Sequence, residues 1–180
     1  MHVFLSWSGE ASLLVALKLR EWLPLVLPSS VPWLSSEDIR KGTIWLDAIT
    51  DALRTTTAGI FCVTAGSVES PWLLFEAGAV LNTARRSSRR CVCTYLIDDV
   101  VIDARSPLSM FQSAGASAAD TLRLLKHLNG ATKDPLPEER LRKLFDAFWP
   151  ELAEVIMRAK TLPQMGFSGP RPPAEAAAGR

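Results

Sequence analysis

The chain has 180 residues, with 20 Lys and Arg against 19 Asp and Glu, and a formal net charge of +1. That length supports one domain with a substantial core plus a short extra segment. The near-neutral balance predicts no polyanionic partner, so no direct nucleic-acid binding is expected, and no run is long and apolar enough to span a membrane.

The opening MHVFLSWSGE lacks a basic region followed by an apolar run, so it does not read as a secretory signal. His2 to Ser6 suits a short buried parallel strand, broken at Ser8-Gly9-Glu10, where Ser8 is placed to cap a helix. Leu13, Leu14, Ala16, Leu17, Leu23 and Val26 then recur at near-helical spacing, and Pro24 ends or kinks that helix. Val31 to Leu34 reads as a second strand. Ser35 to Gly42 is a polar loop, followed by a helical stripe at Trp45, Ile49, Ala52 and Leu53. Ala58 to Thr64 is the strongest strand of the set.

Ser70 to Val80, SPWLLFEAGAV, is an apolar run with one carboxylate. Ser70 suits the cap of a helix and Pro71 its first position. Trp72 and Glu76 are four apart and share a face. Composition alone leaves two readings of Glu76: a solvent-facing or ion-paired residue, or a carboxylate held in a cleft for chemistry. The helix fades at Ala84, before a short basic run from Arg85 to Arg90.

Cys91 to Ile97 is a fourth strand, closed by Asp98 and Asp99. Leu108 to Phe111 reads as a fifth, edge-like strand. Ser117 and Asp120 resemble a capping box ahead of a stripe at Leu122, Leu125 and Leu128. Leu141, Leu144, Phe145, Phe148, Leu152, Val155 and Ile156 form the last helical pattern, with Pro150 inside it, so either two segments or one kinked helix is expected. Past Lys160 the sequence turns rich in Pro, Gly and Ala. Residues 1–160 therefore read as one domain, and 161–180 as a flexible tail or linker.

Short strands separated by helices imply a doubly wound α/β protein with a five-stranded parallel sheet. Such sheets bind ligands beyond the carboxyl ends of their strands. That rule puts Trp7 to Glu10, Ser35 to Gly42, Ala65 to Ser70 and Asp98 to Ser106 on the ligand side.

The chemistry is narrowed by what is missing from the sequence. It contains no GxGxxG turn, no GxxxxGK[ST] loop and no GxSxG elbow. The only histidines are His2 and His127, which suit neither a Ser-His-Asp triad nor a metal site. Cys62, Cys91 and Cys93 are an odd number of cysteines in strand-like runs, the pattern of reduced buried thiols in a cytoplasmic protein. Carboxylate chemistry with aromatic and small polar neighbours is what remains. Trp7, Trp33, Trp45 and Trp72 all fall at or near the ligand edge, either as packing residues or as stacking surfaces.

The stretches HVFLSWSGE, PWLSSEDIRKGTIW, AGIFCVT and SPWLLFEAGAV together resemble a bacterial TIR domain. The likeness is good from His2 to about Leu96 and weaker to Lys160. It implies the flavodoxin-like three-layer TIR fold. The Trp72-Leu73-Leu74-Phe75-Glu76 spacing resembles that around the catalytic glutamate of the NAD-cleaving branch, found in anti-phage defence. The resemblance implies NAD+ as substrate rather than a resident cofactor, with nicotinamide and linear or cyclic ADP-ribose as products. It makes Glu76 the catalytic residue. Ser6, Trp7, Ser8, Trp33, Ser35, Asp38, Lys41, Trp45 and Trp72 are then expected to line the nucleotide site or its closing loop, and no metal is expected. Lys41 reads either as a phosphate contact or as a solvated lysine. The resemblance also implies TIR-TIR assembly when active, and a sensor or effector partner protein. The loop reads DIRKG, which departs from the receptor-type pattern. The alternative is an adaptor module that signals by TIR-TIR contact without chemistry.

Overall fold

Alternation along the strands divides the core in two. Side chains of successive strand residues point to opposite faces. Val3, Leu5, Ile60, Cys62, Cys93 and Tyr95 pack into one cluster, while Phe4, Phe61 and Val63 pack into another. A strand buried on both faces reads as an unbroken apolar run, and the AGIFCV strand is buried at every position.

The computed structural model describes residues 1–34, 56–84 and 91–163. Its elements are β1 (His2–Ser6), α1 (Glu10–Val26), β2 (Val31–Leu34), β3 (Ala58–Val63), α2 (Pro71–Ala84), β4 (Cys91–Leu96), a 3-10 turn (Pro107–Met110), β5 (Gln112–Gly115), α3 (Ala118–Gly130) and α4 (Glu138–Thr161). The Ser35 to Gly42 loop, the stripe from Trp45 to Leu53, the Arg85 to Arg90 run and residues 164–180 lie outside the described residues.

The five strands form one all-parallel sheet in the order β2-β1-β3-β4-β5. This is the expected flavodoxin-like sandwich. Residues of α1, α3 and α4 cover the Val3 and Leu5 face, and α2 covers the Phe4 and Phe61 face. The chain leaves β1 toward β2 on one side and leaves β3 toward β4 on the other. The direction of winding reverses between β1 and β3, and open α/β sheets hold ligands outside the carboxyl ends of their strands at such a switch.

One expectation changes and two open ones narrow. The fifth strand is Gln112–Gly115, not Leu108 to Phe111. Pro107 starts a 3-10 turn whose Ser106 hydroxyl accepts from the Leu108 amide at 3.3 Å. Leu108 is buried in the α2-side core and Phe111 stacks on Phe61 at 5.4 Å, so these apolar residues pack as a turn rather than pair as a strand. Pro24 does not end α1, which runs on to Val26. Pro150 lies within one continuous helix, α4. Trp22 Nε1 donates to the Phe148 carbonyl at 2.8 Å, tying α1 to α4 two residues before that proline. The expected cap at Ser117 is present, its Oγ accepting from the Asp120 amide at 3.2 Å.

Burial also fixes the state of the thiols. Desolvation pushes the Cys62 thiol up to about 12 and the Cys93 thiol well above its ordinary value. Unfolded thiols ionise near 8.5. Above that pH the unfolded chain releases protons that the folded chain retains, so their contribution is complete below about pH 8.5 and is lost as pH rises toward the folded values. Urea unfolding should show a plateau from pH 6 to 8, then a fall of about 1 kcal/mol per pH unit for each such thiol. Cys62→Val should remove part of that slope, and equal slopes in parent and variant would contradict the assignment.

Candidate active site

Phe4 and Ser6 share the face of β1 that looks toward α2, by the same alternation that splits the core. On α2, Leu73, Ala77 and Val80 pack on that face of the sheet. Glu76 follows Leu73 by three residues and precedes Val80 by four, so it lies on the same side of the helix. The carboxylate therefore enters an apolar interface at the end of β1. Glu76 and Ser6 are both fully buried (0% exposed), and the Ser6 hydroxyl donates to Glu76 Oε2. The solvent-facing reading of Glu76 is excluded by this burial. A buried carboxylate is costly unless neighbours compensate for its lost water, and the Ser6 hydroxyl is one such neighbour.

Aromatic residues lie on the same face of the sheet. Trp72, one turn before Glu76, is buried and stacks on Phe75 with centroids 5.8 Å apart. Trp33 is the register partner of Phe4 and stacks on it at 5.5 Å, on the α2 side of the sheet. Trp7 goes the other way: its ring belongs to the core beneath α1, α3 and α4. Ser6, Trp33, Trp72 and Glu76 thus share one face, and Trp7 occupies the opposite one. Ser35, Asp38, Lys41 and Trp45 lie outside the described residues.

Local geometry departs from the two expected caps. The residue before α1 is Gly9, at φ 87° and ψ 161°, a conformation that only glycine adopts without strain. Ser8 does not cap the helix. Its amide donates to Ser12 Oγ at 3.0 Å, and Ser12 Oγ donates back to the Ser8 carbonyl at 2.5 Å. Ser70 accepts the Leu74 amide through its carbonyl at 3.1 Å, but its hydroxyl makes no cap bond. Pro71 takes the first helical position as expected.

Trp7 Nε1, Ser8 Oγ and Ser70 Oγ are buried and have no hydrogen-bond partner among the described residues. All three sit just past the end of β1 or just before α2. Most buried polar groups find partners, so these atoms are exceptions; Trp7 is on the α1 side of the sheet, apart from the Glu76 face.

Asp98 is a residue whose role the sequence did not reveal. It follows β4, and its two oxygens both accept from the Ala65 amide at 3.1 Å, while Oδ1 also accepts from Val100 at 3.2 Å. Ala65 opens the turn that delivers α2. The turn is closed further by the Thr64 amide donating to Ser67 Oγ at 2.9 Å. Asp98 thereby joins the ends of β3 and β4 and fixes where α2 begins. Its only sequence signal was its place at a strand end.

Residues 3–126 match the family described as TIR domain, more than half of the chain. The chain belongs to the TIR-domain family. Among solved structures, the TIR domains of the activated Roq1 resistosome that directly recognises the pathogen effector XopQ are similar at 14% identity and a TM-score of 0.47, over 87% of this chain and 95% of that one. The azoreductase of Bacillus anthracis str. Sterne is similar at 8% identity and a TM-score of 0.42, over 90% and 100%. The Vibrio vulnificus NanR protein complexed with ManNAc-6P is similar at 13% identity and a TM-score of 0.40, over 88% and 53%. No curated protein matches the chain. Among the described residues of this TIR domain, no helix is long and apolar enough to cross a membrane.

The Asp98 clasp generates a test. Asp98→Ala should speed hydrogen exchange at the Ala65 and Val100 amides and cost about 0.5–1.5 kcal/mol, the net value of the hydrogen bonds it removes. Asp98→Asn, which keeps one carbonyl oxygen, should fall between parent and Ala. Unchanged exchange at Ala65 in Asp98→Ala would show that the clasp does not hold the turn.

Proposed function

We propose that this TIR domain cleaves the bond between nicotinamide and ribose in NAD+, with Glu76 as the catalytic residue. The observation that carries the reading is the fully buried Glu76 carboxylate, hydrogen-bonded by Ser6 where the β1–β3 crossover opens the sheet. Nicotinamide leaves C1′ with the bonding electron pair as a neutral molecule, so its departure needs no general acid. Positive charge develops on the ribose as an oxocarbenium ion, and one carboxylate suffices to stabilise it. Water then attacks C1′ and releases a proton, giving ADP-ribose; attack by a nucleophile within the same molecule gives a cyclic product. A single Glu without histidine is adequate for this chemistry.

Trp72 and Trp33 supply flat apolar surface on the carboxylate's face. Ser8 and Ser70 supply hydroxyls for the nucleotide. Ser35, Asp38, Lys41 and Trp45, in the segment after β2, are assigned to the same substrate and to closure over it. Since Glu76 has no exposed surface at rest, substrate reaches it only when its cover shifts. TIR-TIR assembly is the proposed trigger, so a dilute chain should turn over slowly. The reading extends to defence signalling in a cytoplasmic setting, with a sensor or effector protein as partner. A pure adaptor has no use for a carboxylate sunk in an apolar interface, whose desolvation is a cost.

The test forces assembly first. With the domain immobilised at high density and supplied with NAD+, nicotinamide release should rise more than linearly with density, and mass spectrometry should show whether ADP-ribose is linear or cyclic. Glu76→Gln keeps the shape but removes the charge, and should lower turnover by about 100-fold or more with the fold intact. Equal rates in parent and variant would reject Glu76. Assembly without NAD+ consumption at any density would favour the adaptor.

A further inference from the structure

A cavity of about 490 Å³ opens between β4, β5 and α3, far along β4 from Asp98. It lies on the α3 side of the sheet: Cys93 and Leu124 of its wall pack in the core shared with α1 and α4, whereas Leu73, Ala77 and Val80, which flank Glu76, pack in the core on the other face. The sheet itself therefore stands between the cavity and Glu76. Its size suits a small organic molecule.

The lining has two parts. Buried Cys93 and Leu124, with half-buried Val92 and Ala114, give an apolar interior. Exposed Arg123 and His127, one turn apart on α3, form a polar margin together with the Asp120 carboxylate, which also lines the cavity. Arg123 Nη2 meets Asp120 Oδ1 at 2.5 Å, and the Arg123 side chain is 73% exposed. That contact offsets the Asp120 charge, and the exposed part of the five-donor guanidinium fork faces solvent, where a planar oxyanion can reach it. His127 Nδ1 lies 3.2 Å from the Arg123 carbonyl, which only accepts, so Nδ1 donates there and Nε2 of the neutral ring is an acceptor; the donor for an anion is Arg123.

We propose that this cavity is a second ligand site, for a small organic anion whose carboxylate or phosphate meets Arg123 and whose apolar body fills the space between β4, β5 and α3. The site is separate from the NAD+-cleaving reading and does not depend on it. A ligand of about ten heavy atoms in such a site should bind with a dissociation constant on the order of 1 mM.

The experiment is a titration of the ¹⁵N-labelled chain followed by NMR, which reads binding without turnover. The probes are phenyl phosphate, phenylacetate and the neutral benzyl alcohol. At least one anion should shift the amides of Cys93, Gln112, Ala114 and Arg123 at about millimolar concentration, with benzyl alcohol roughly tenfold weaker. The tighter of the two anions identifies the headgroup. Arg123→Gln, on the exposed side of α3, should leave the remaining spectrum unchanged and weaken the anion roughly tenfold. Neither anion shifting these amides by about 10 mM, benzyl alcohol binding as well as both anions, or Arg123→Gln binding like the parent would each overturn the proposal.

Discussion

The fold is constrained most sharply by one polar contact in an apolar interface. Glu76 is the only charged side chain among the fully buried residues described, and it sits where α2 crosses the end of β1. A carboxylate in that position demands compensation within hydrogen-bond reach. Ser6 provides part of it because strand alternation turns Ser6, like Phe4, toward α2. A slip of one residue in β1 would exchange Ser6 for an apolar neighbour and leave the carboxylate facing carbon. The β1–β3 register and the placement of α2 are therefore coupled through this contact.

The surrounding structure holds that geometry from two directions. On one side, α1 begins with Gly9 at positive φ, which lets the chain turn directly off β1 without disturbing Ser6. On the other, Asp98 and Ser67 close the turn after β3, and Pro71 starts α2 at a fixed place. The opposite face of the sheet is more ordinary. There α1 and α4 pack over Val3, Leu5 and Ile60, with the Trp22 indole bonded across to α4. That face supplies apolar burial, while the α2 face holds the buried Glu76 carboxylate.

The order of elements was legible because β1, β3 and β4 are buried apolar runs and α2 is punctuated by Ser70-Pro71. β5 was not, since Gln112–Gly115 is a short edge strand with two exposed residues and no large apolar side chain, whose partners include a hydroxyl contact between Thr94 and Ser113 at 2.8 Å. The nearby apolar run was misread as strand because Leu108 and Phe111 are buried, but from a turn. At the site, the spacing of Trp72 and Glu76 was readable as a shared helical face. Sequence did not distinguish Ser6, which touches Glu76, from Ser8, which is tied to Ser12, since both are serines in a loop-proximal run. The face occupied by Trp7 follows from strand parity continued past Ser6, a signal that was present but unused. Asp98 acts on backbone amides far away in sequence, and no local pattern announces that.

The account's central claim is that Ser6 and Glu76 act as one unit. A double-mutant cycle measures this most directly, using Ser6→Ala, Glu76→Gln and the pair, with unfolding free energy and nicotinamide release recorded for all four proteins. The account predicts a coupling of about 1 kcal/mol or more in stability, and no further loss of turnover when Ser6→Ala is added to Glu76→Gln. Stability changes that add within about 0.3 kcal/mol, with turnover losses that multiply, would contradict it.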